Sequence, residues 1–399
     1  MKVTIGNMRN FFERFRKENP TLQISIPVIG GLSANIPLAE TGKLHATRKG
    51  IDRYDYDTPF VRGNTEDLIS FYEQYKNNKE YKFCRSPYAE TIPLKKNNDG
   101  FVYGMDVDEL KIKAIGVRYV APSFLKKHYE GAVALFKDLN KIRWNEKEKE
   151  WENNKCVRIA EWNTESKTVT IQPATYFDQV GTNLTIDWAS GLINENPVST
   201  IRNDIESHEN CALPKLNTSI LANTLGVAVV LVNDKSKEVL VPIRGSEQAI
   251  MAKGKGQFHC SASGVFELDD FPSEIEELTF DIFMKGMEKE IEEEIGLSAD
   301  LYNLVPLAFT RELVRGGKPQ LFFIAKTDID IRNIKTTMKN AQDNWEFINE
   351  DELPIDSQLH EYLDAPLKSP QEMFSYEGWM ALKIALAYLY RDEPPFPIC

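Results

Sequence analysis

Lys289 to Leu297 reads K-E-I-E-E-E-I-G-L, and the fold turns on what this run is. Working back from it, Phe280, Phe283, Met284, Met287, Ile291 and Ile295 recur at three- and four-residue steps. That period predicts a helix over Phe280–Ile295 with Gly296 as terminator. At ~100° per residue the six apolar positions fall in an arc of roughly 120°, a stripe that faces a core. Glu290, Glu293 and Glu294 stand at i, i+3 and i+4 and share an arc along one edge of that stripe. Three carboxylates are thereby brought to the place where the helix meets its core. Like charges at this spacing cost helix stability, and a solvated acidic face would scatter them or alternate them with lysine. A hard divalent cation turns their repulsion into oxygen ligation.

The charge of the whole chain sharpens the point. There are 399 residues with 48 basic against 60 acidic side chains, a net charge of −12. From Glu267 to Glu294, twelve acids face only Lys285 and Lys289, so nearly all of the excess sits in and just before this helix. An acidic surface is the reverse of what phosphate-backbone binding needs, which argues against a nucleic-acid partner. No apolar run approaches the roughly 20 residues that span a bilayer, and Met1–Pro20 is dense in charge, so no membrane partner and a cytoplasmic location are expected. The five cysteines (84, 156, 211, 260, 399) include no C-x-x-C pair, and the five histidines never fall at metal-ligand spacing. Any metal must be held by oxygen.

The run and its surroundings resemble the Nudix family. K-E-I-E-E-E-I-G-L matches the second half of the family box, R-E-U-x-E-E-x-G-U with U apolar, at eight of nine positions, Lys289 standing for Arg. Asp281 occupies the acidic position eight residues earlier, and Gly286 sits where the family has a small residue. Gly264, in H-C-S-A-S-G-V, is the box glycine if about eleven residues are inserted before Asp281. Strand signals flank the helix in the order the family has: Leu225–Val232 and Glu238–Ile243 before it, Leu304–Leu313 and Gln320–Lys326 after it, the last two joined through Arg315-Gly316-Gly317-Lys318-Pro319.

The resemblance implies an α/β/α sandwich over residues 216–399, ending in a helix around Trp379–Leu389. Residues 1–215 read as an α+β domain of unknown role, with helix signals at Asn64–Tyr75 and Ser123–Phe136 and a hairpin over Cys156–Gln172. It further implies hydrolysis of a nucleoside diphosphate-linked small molecule, as in a pyrophosphatase, with Mg²⁺ or Mn²⁺ on Glu290, Glu293 and Glu294. Lys289, Asp281 and Gly264 would support those ligands from behind. One carboxylate, from the helix or from Glu346 or Glu350 downstream, would take the proton. Arg311 and Arg315 are candidates to grip a phosphate, and Trp345 to stack on a base. Each also has an ordinary reading, as a solvated arginine or a core tryptophan.

Three alternatives stay open. A Nudix domain that senses a nucleotide without cleaving it would pass the signal to the amino-terminal half, to a protein partner or to a homodimer partner. Cys260 could be a nucleophile, as in the isomerase branch of the family, or a small buried hydrophobe. The expanded loop Val265–Phe280, half of it Glu, Asp, Ser or Pro, is expected to be a lid or a partner contact, outside the core.

Overall fold

The computed structural model describes residues 68–69, 71–75, 88–138, 140–188, 200–203, 212–244, 257–343, 347–354 and 374–390, the last strand before 374 by its backbone only. The architecture is α/β, built on two sheets.

In chain order, β1 (Tyr88–Lys96) is followed by two short strands, β2 (Asp99–Gly100) and β3 (Met105–Asp106), and by β4 (Lys111–Ala114). Helix α1 (Lys126–Asp138) precedes a small ribbon of β5 (Trp144–Asn145) and β6 (Glu150–Trp151). The hairpin β7 (Lys155–Asn163) and β8 (Thr168–Thr175) runs into a short helix, α2 (Tyr176–Val180). Strands β9 (Gly226–Asn233), β10 (Glu238–Arg244), β11 (Ala262–Val265) and β12 (Glu276–Leu278) lead to α3 (Asp281–Ile295). Then come β13 (Asn303–Glu312), β14 (Lys318–Thr327), α4 (Ile331–Met338), β15 (Phe347–Pro354) and α5 (Tyr376–Tyr390).

The larger sheet runs β15-β10-β9-β14-β13-β1-β2, with β11 also on β9 and β3 also on β1. At its centre β9 and β14 are parallel, from Gly226 opposite Gln320 to Asn233 opposite Thr327. Every residue of β9 is buried, because both faces of this strand are covered and no polar alternation can survive. On one face Val227, Val229, Leu231, Leu321, Phe323 and Phe309 meet the apolar stripe of α3 and Ile331, Ile334 and Met338 of α4. On the other, Ala228, Val230, Phe322 and Ile324 meet Trp379, Leu382, Ala385 and Leu386 of α5. The expected helix and strands are thus present within a residue or two. Gly296 closes α3 in the left-handed conformation, φ 72°, where only glycine is unstrained.

The sheets do not divide at residue 215. Strand β1 pairs with β13, and the second sheet, β12-β4-β8-β7, takes its edge strand from the far side of that point. The loop Val265–Phe280 corrects the expectation of a lid. Glu276–Leu278 pairs with Ile112–Ala114, Phe266 and Phe280 are each 2% exposed, and Leu268, Phe271 and Leu278 pack on the core. Most of its acidic residues are exposed while Phe266, Leu268, Phe271, Leu278 and Phe280 are drawn inward, and β4 gains a partner for its open edge. The signal at Asn64–Tyr75 falls largely outside the described residues, and its described part places Leu68, Ile69 and Tyr72 in a core. Among the described residues no helix is long and apolar enough to cross a membrane.

Candidate functional site

Strand β9 is shared end to end by two partners. Its last residues pair with the start of β10 (Asn233 with Glu238, Val232 with Val239), and its first four with β11 (Val229 with Ala262, Gly226 with Val265). Between the diverging strands Ser261 works as a pin: its Oγ donates to Leu240 O at 2.7 Å and accepts from Leu231 N–H at 2.7 Å. His259 N–H reaches Pro242 O at 2.9 Å, and Ser261 N–H reaches Val229 O at 2.9 Å. Backbone groups that the split would leave unpaired are satisfied this way, and β11 is fixed alongside the carboxy-terminal half of α3.

The carboxylates of that half meet β11 at two consecutive residues. Glu294, 3% exposed, accepts the Ser263 N–H on Oε2 at 3.2 Å. Glu290 lies against Gly264: a Cβ there would stand 2.3 Å from its Cδ and 2.3 and 2.4 Å from its two oxygens. Glu293 points into a more mixed setting. Burial raises its carboxyl above the usual range, Lys289 pulls it back, and Asp343, Glu267 and Glu292 add to the rise. Burial alone would weaken the Lys289 ammonium, but Glu293 and Glu267 outweigh it and hold its pKa up. Lys289 Nζ is 3.4 Å from Glu267 Oε2, so the charge that stands for the family arginine ties the helix to the inserted loop.

The other expected residues are dispersed. Asp281 begins α3 and pairs with Lys96; nine residues before Glu290 on a helix, it is ~13 Å away along the axis. Gly286 fits under the Phe266 ring, where a Cβ would stand 2.4 Å from two ring carbons. Arg311 is buried, not solvated; its Nη1 pairs with Glu90 at 3.1 Å and its Nε donates to Gly317 O at 3.0 Å. Arg315 pairs with Glu312 at 3.2 Å. Cys260, 1% exposed, belongs to the apolar cluster under α5. Trp345 and Glu346 lie outside the described residues, as does the side chain of Glu350.

A polar tract continues behind β11 that no sequence spacing announced. His259, 1% exposed, is hydrogen-bonded through Nε2 to Ser263 Oγ at 2.9 Å and through Nδ1 to Ser375 Oγ at 2.5 Å. Ser375 Oγ also accepts the Gly378 N–H at 3.0 Å, so the residue that starts α5 also orients the imidazole. Glu377 Oε2 is 3.8 Å from His259 Nε2, and its Oε1 accepts from Gln320 Nε2 at 2.6 Å. Gly378 lets α5 approach this closely, since a Cβ on it would stand 2.7 Å from His259 Cα.

The donors around β11 are carboxylate oxygens, the kind Mg²⁺ and Mn²⁺ prefer, and two of them converge on adjacent residues of one strand. Among the described residues no three acidic, histidine or cysteine side chains are gathered into a closed metal cluster. Mg²⁺ commonly needs just one or two carboxylates, its remaining positions going to water and substrate phosphate, so Glu290 and Glu294 suit such an ion.

No protein-family model matches the sequence, and no curated protein matches it. Among solved structures, DR0079 from Deinococcus radiodurans is similar to part of the chain. It is 15% identical over 42% of this chain and 83% of that one, with a TM-score of 0.28. A likeness at that level carries no argument about fold or activity.

Proposed function

We propose that the chain is a Nudix-type, metal-dependent hydrolase of a nucleoside diphosphate-linked small molecule, with Mg²⁺ or Mn²⁺ as cofactor. The observation that carries the reading is the meeting of Glu290 and Glu294 with Gly264 and Ser263, two elements far apart in sequence. That pairing of acidic helix and glycine strand is what the motif resemblance implies. Glu290 and Glu294 would hold the metal, with Glu293 as the third ligand. When bound, the ion neutralises phosphoryl oxygens and acidifies a water.

The chain's own residues supply the rest. The Ser263 N–H fixes one oxygen of Glu294. Glu293, with its carboxyl raised by burial, suits the proton-accepting role, since a base works best as its pKa approaches the working pH. Lys289, anchored on Glu267, offsets the repulsion that three neighbouring carboxylates create.

The test is incubation of the purified protein with ADP-ribose, NAD, dinucleoside polyphosphates, nucleotide sugars and nucleoside triphosphates, with Mg²⁺ or Mn²⁺, followed by chromatography. Cleavage of a diphosphate bond is expected, with kcat falling by about two orders of magnitude in Glu294→Gln while KM changes little. Intact ligands across pH 7 to 9 would overturn it. The absence of a closed three-acid cluster among the described residues favours one second reading, a domain that binds the nucleotide without cleaving it. Tight binding of a ligand recovered intact would establish that instead.

A further inference from the structure

Behind β11, on the α5 face of the sheet, the first residues of β14 place a lysine where the core should be apolar. Lys318 is 2% exposed, and its one hydrogen bond is a long one, Nζ to Gln320 Oε1 at 3.5 Å. Among the described residues no carboxylate oxygen comes within the 4.0 Å of an ion pair. An ammonium has three donors and a large hydration energy to replace, so a buried one without a counter-ion is anomalous unless an anion arrives from outside.

Gly226, the first residue of β9, is what lets the lysine lie here; a Cβ there would stand 1.9 Å from Gln320 Oε1 and 2.5 Å from Lys318 Nζ. Arg315 lies three residues back across Gly316 and Gly317, both in the left-handed region with φ 67° and 81°. This turn is held by Asn183 Nδ2, which donates to Arg315 O at 2.9 Å, and by Arg202, which donates to Leu313 O at 2.8 Å and to Val314 O at 2.6 Å. The Arg315 side chain is 25% exposed and, among the described residues, bonds Glu312 through Nη1 alone, with four of its five N–H donors not engaged there. The Tyr376 hydroxyl is buried with no hydrogen-bond partner among the described residues, within electrostatic range of Glu312.

We propose that Lys318 and Arg315 form an oxyanion subsite that takes a phosphate group. The charge of the subsite suits a phosphate group, and the nucleotide to which that phosphate belongs rests on the hydrolase reading. A guanidinium fork and an ammonium point charge together suit a phosphate. The groups facing Lys318 agree. Burial and the nearby Arg315 lower its pKa, Glu312, Glu377 and Cys156 raise it only in part, and the balance stands at about 8. An arriving dianion stabilises the ammonium, so the subsite binds best below pH 8 and weakens as the free amine forms above it.

The experiment is titration of inorganic phosphate into the full chain with EDTA present, so that no metal bridges phosphate to the glutamates. Wild type should bind phosphate with an affinity that falls roughly tenfold between pH 7.5 and 9.5, where phosphate stays dianionic. Lys318→Met should lose at least tenfold in affinity at pH 7.5, show no pH dependence, and melt no lower than wild type, since it removes an unpaired buried charge. Arg315→Gln should weaken binding while keeping the pH dependence. Mn²⁺ titration of Lys318→Met should match wild type, which keeps this proposal separable from the hydrolase reading. No metal-free phosphate binding by wild type, or equal binding by Lys318→Met, would overturn it whatever the outcome of the hydrolysis assay.

Discussion

The carboxyl group of Glu290 lies directly on the Cα of Gly264, leaving no room for a single methyl group between helix α3 and strand β11. Twenty-six residues of chain separate the two. The glycine serves here by its size, and the carboxylate lies against backbone.

Gly264→Ala should therefore act on the glutamate more than on the fold. The methyl would meet Cδ at 2.3 Å and push the carboxylate off β11. A strain of about 1–3 kcal/mol is expected, together with at least a tenfold loss in Mn²⁺ affinity. Isothermal titration against Glu290→Gln measures it; wild-type Mn²⁺ binding by Gly264→Ala would show that the contact is without consequence.

The inserted loop should behave as core. Phe266 lies over Gly286 and meets Phe283 edge-on with centroids 5.1 Å apart, so Phe266→Ala is expected to cost about 3–5 kcal/mol. Ile275→Ser, at a position 68% exposed in the same loop, should stay within about 0.5 kcal/mol of wild type. Urea unfolding of the two variants decides it, and equal stabilities would contradict the packing.

Arg202 is fully buried and reaches Asp187 with both Nε (2.6 Å) and Nη2 (2.8 Å), besides the Tyr72 hydroxyl (2.6 Å). Arg202→Met strands a buried carboxylate and is expected to cost about 3–5 kcal/mol. The double variant Arg202→Met/Asp187→Leu should recover a sizeable part of that loss. A double variant no more stable than the single one would mean that the bonds to Leu313 O and Val314 O dominate.

His128 gives the amino-terminal half a measurable acid limit. Burial pushes its pKa from 6.5 down to about 4, and Nε2 meets Thr185 Oγ1 at 3.1 Å while Nδ1 has no partner among the described residues. The unfolded chain binds a proton near pH 6.5 and the folded one only near pH 4, so stability is lost as pH falls through that window. The loss amounts to about 3 kcal/mol. Subtracting the pH dependence of His128→Phe from that of wild type isolates it; superimposable curves from pH 7 to 4 would refute the assignment.

What could be read in advance was what is local. The period of Phe280–Ile295 and the i, i+3, i+4 set of glutamates depend on helix geometry alone, and the hairpins on alternation between turn residues. His259, Ser263, Gln320, Ser375 and Glu377 come from three segments with no common spacing, and only the parallel pairing of β9 with β14 and the docking of α5 bring them together. Neither a phosphate grip nor a solvated arginine on the strand end reveals that Arg311 is buried; the added strand β1, which brings Glu90, covers it. Strand β12 escaped because its three residues, Glu276-Glu277-Leu278, carry too little pattern to stand out in an acidic loop.

The exchange of β1 and β12 between the two sheets has a consequence for how the chain acquires its shape during synthesis. Tyr88 finds its partner Glu312 more than 200 residues later, and Ile112 waits for Leu278. While the ribosome is still making the second half, the Tyr88–Pro93 part of β1 and the outer edge of β4 lack the strands they will pair with, and the loops that close those pairings are long and entropically slow. Neither half can finish first. The polypeptide is therefore committed to a late, concerted assembly, and a chaperone that shields bare strand edges would find its natural client in the incomplete nascent chain.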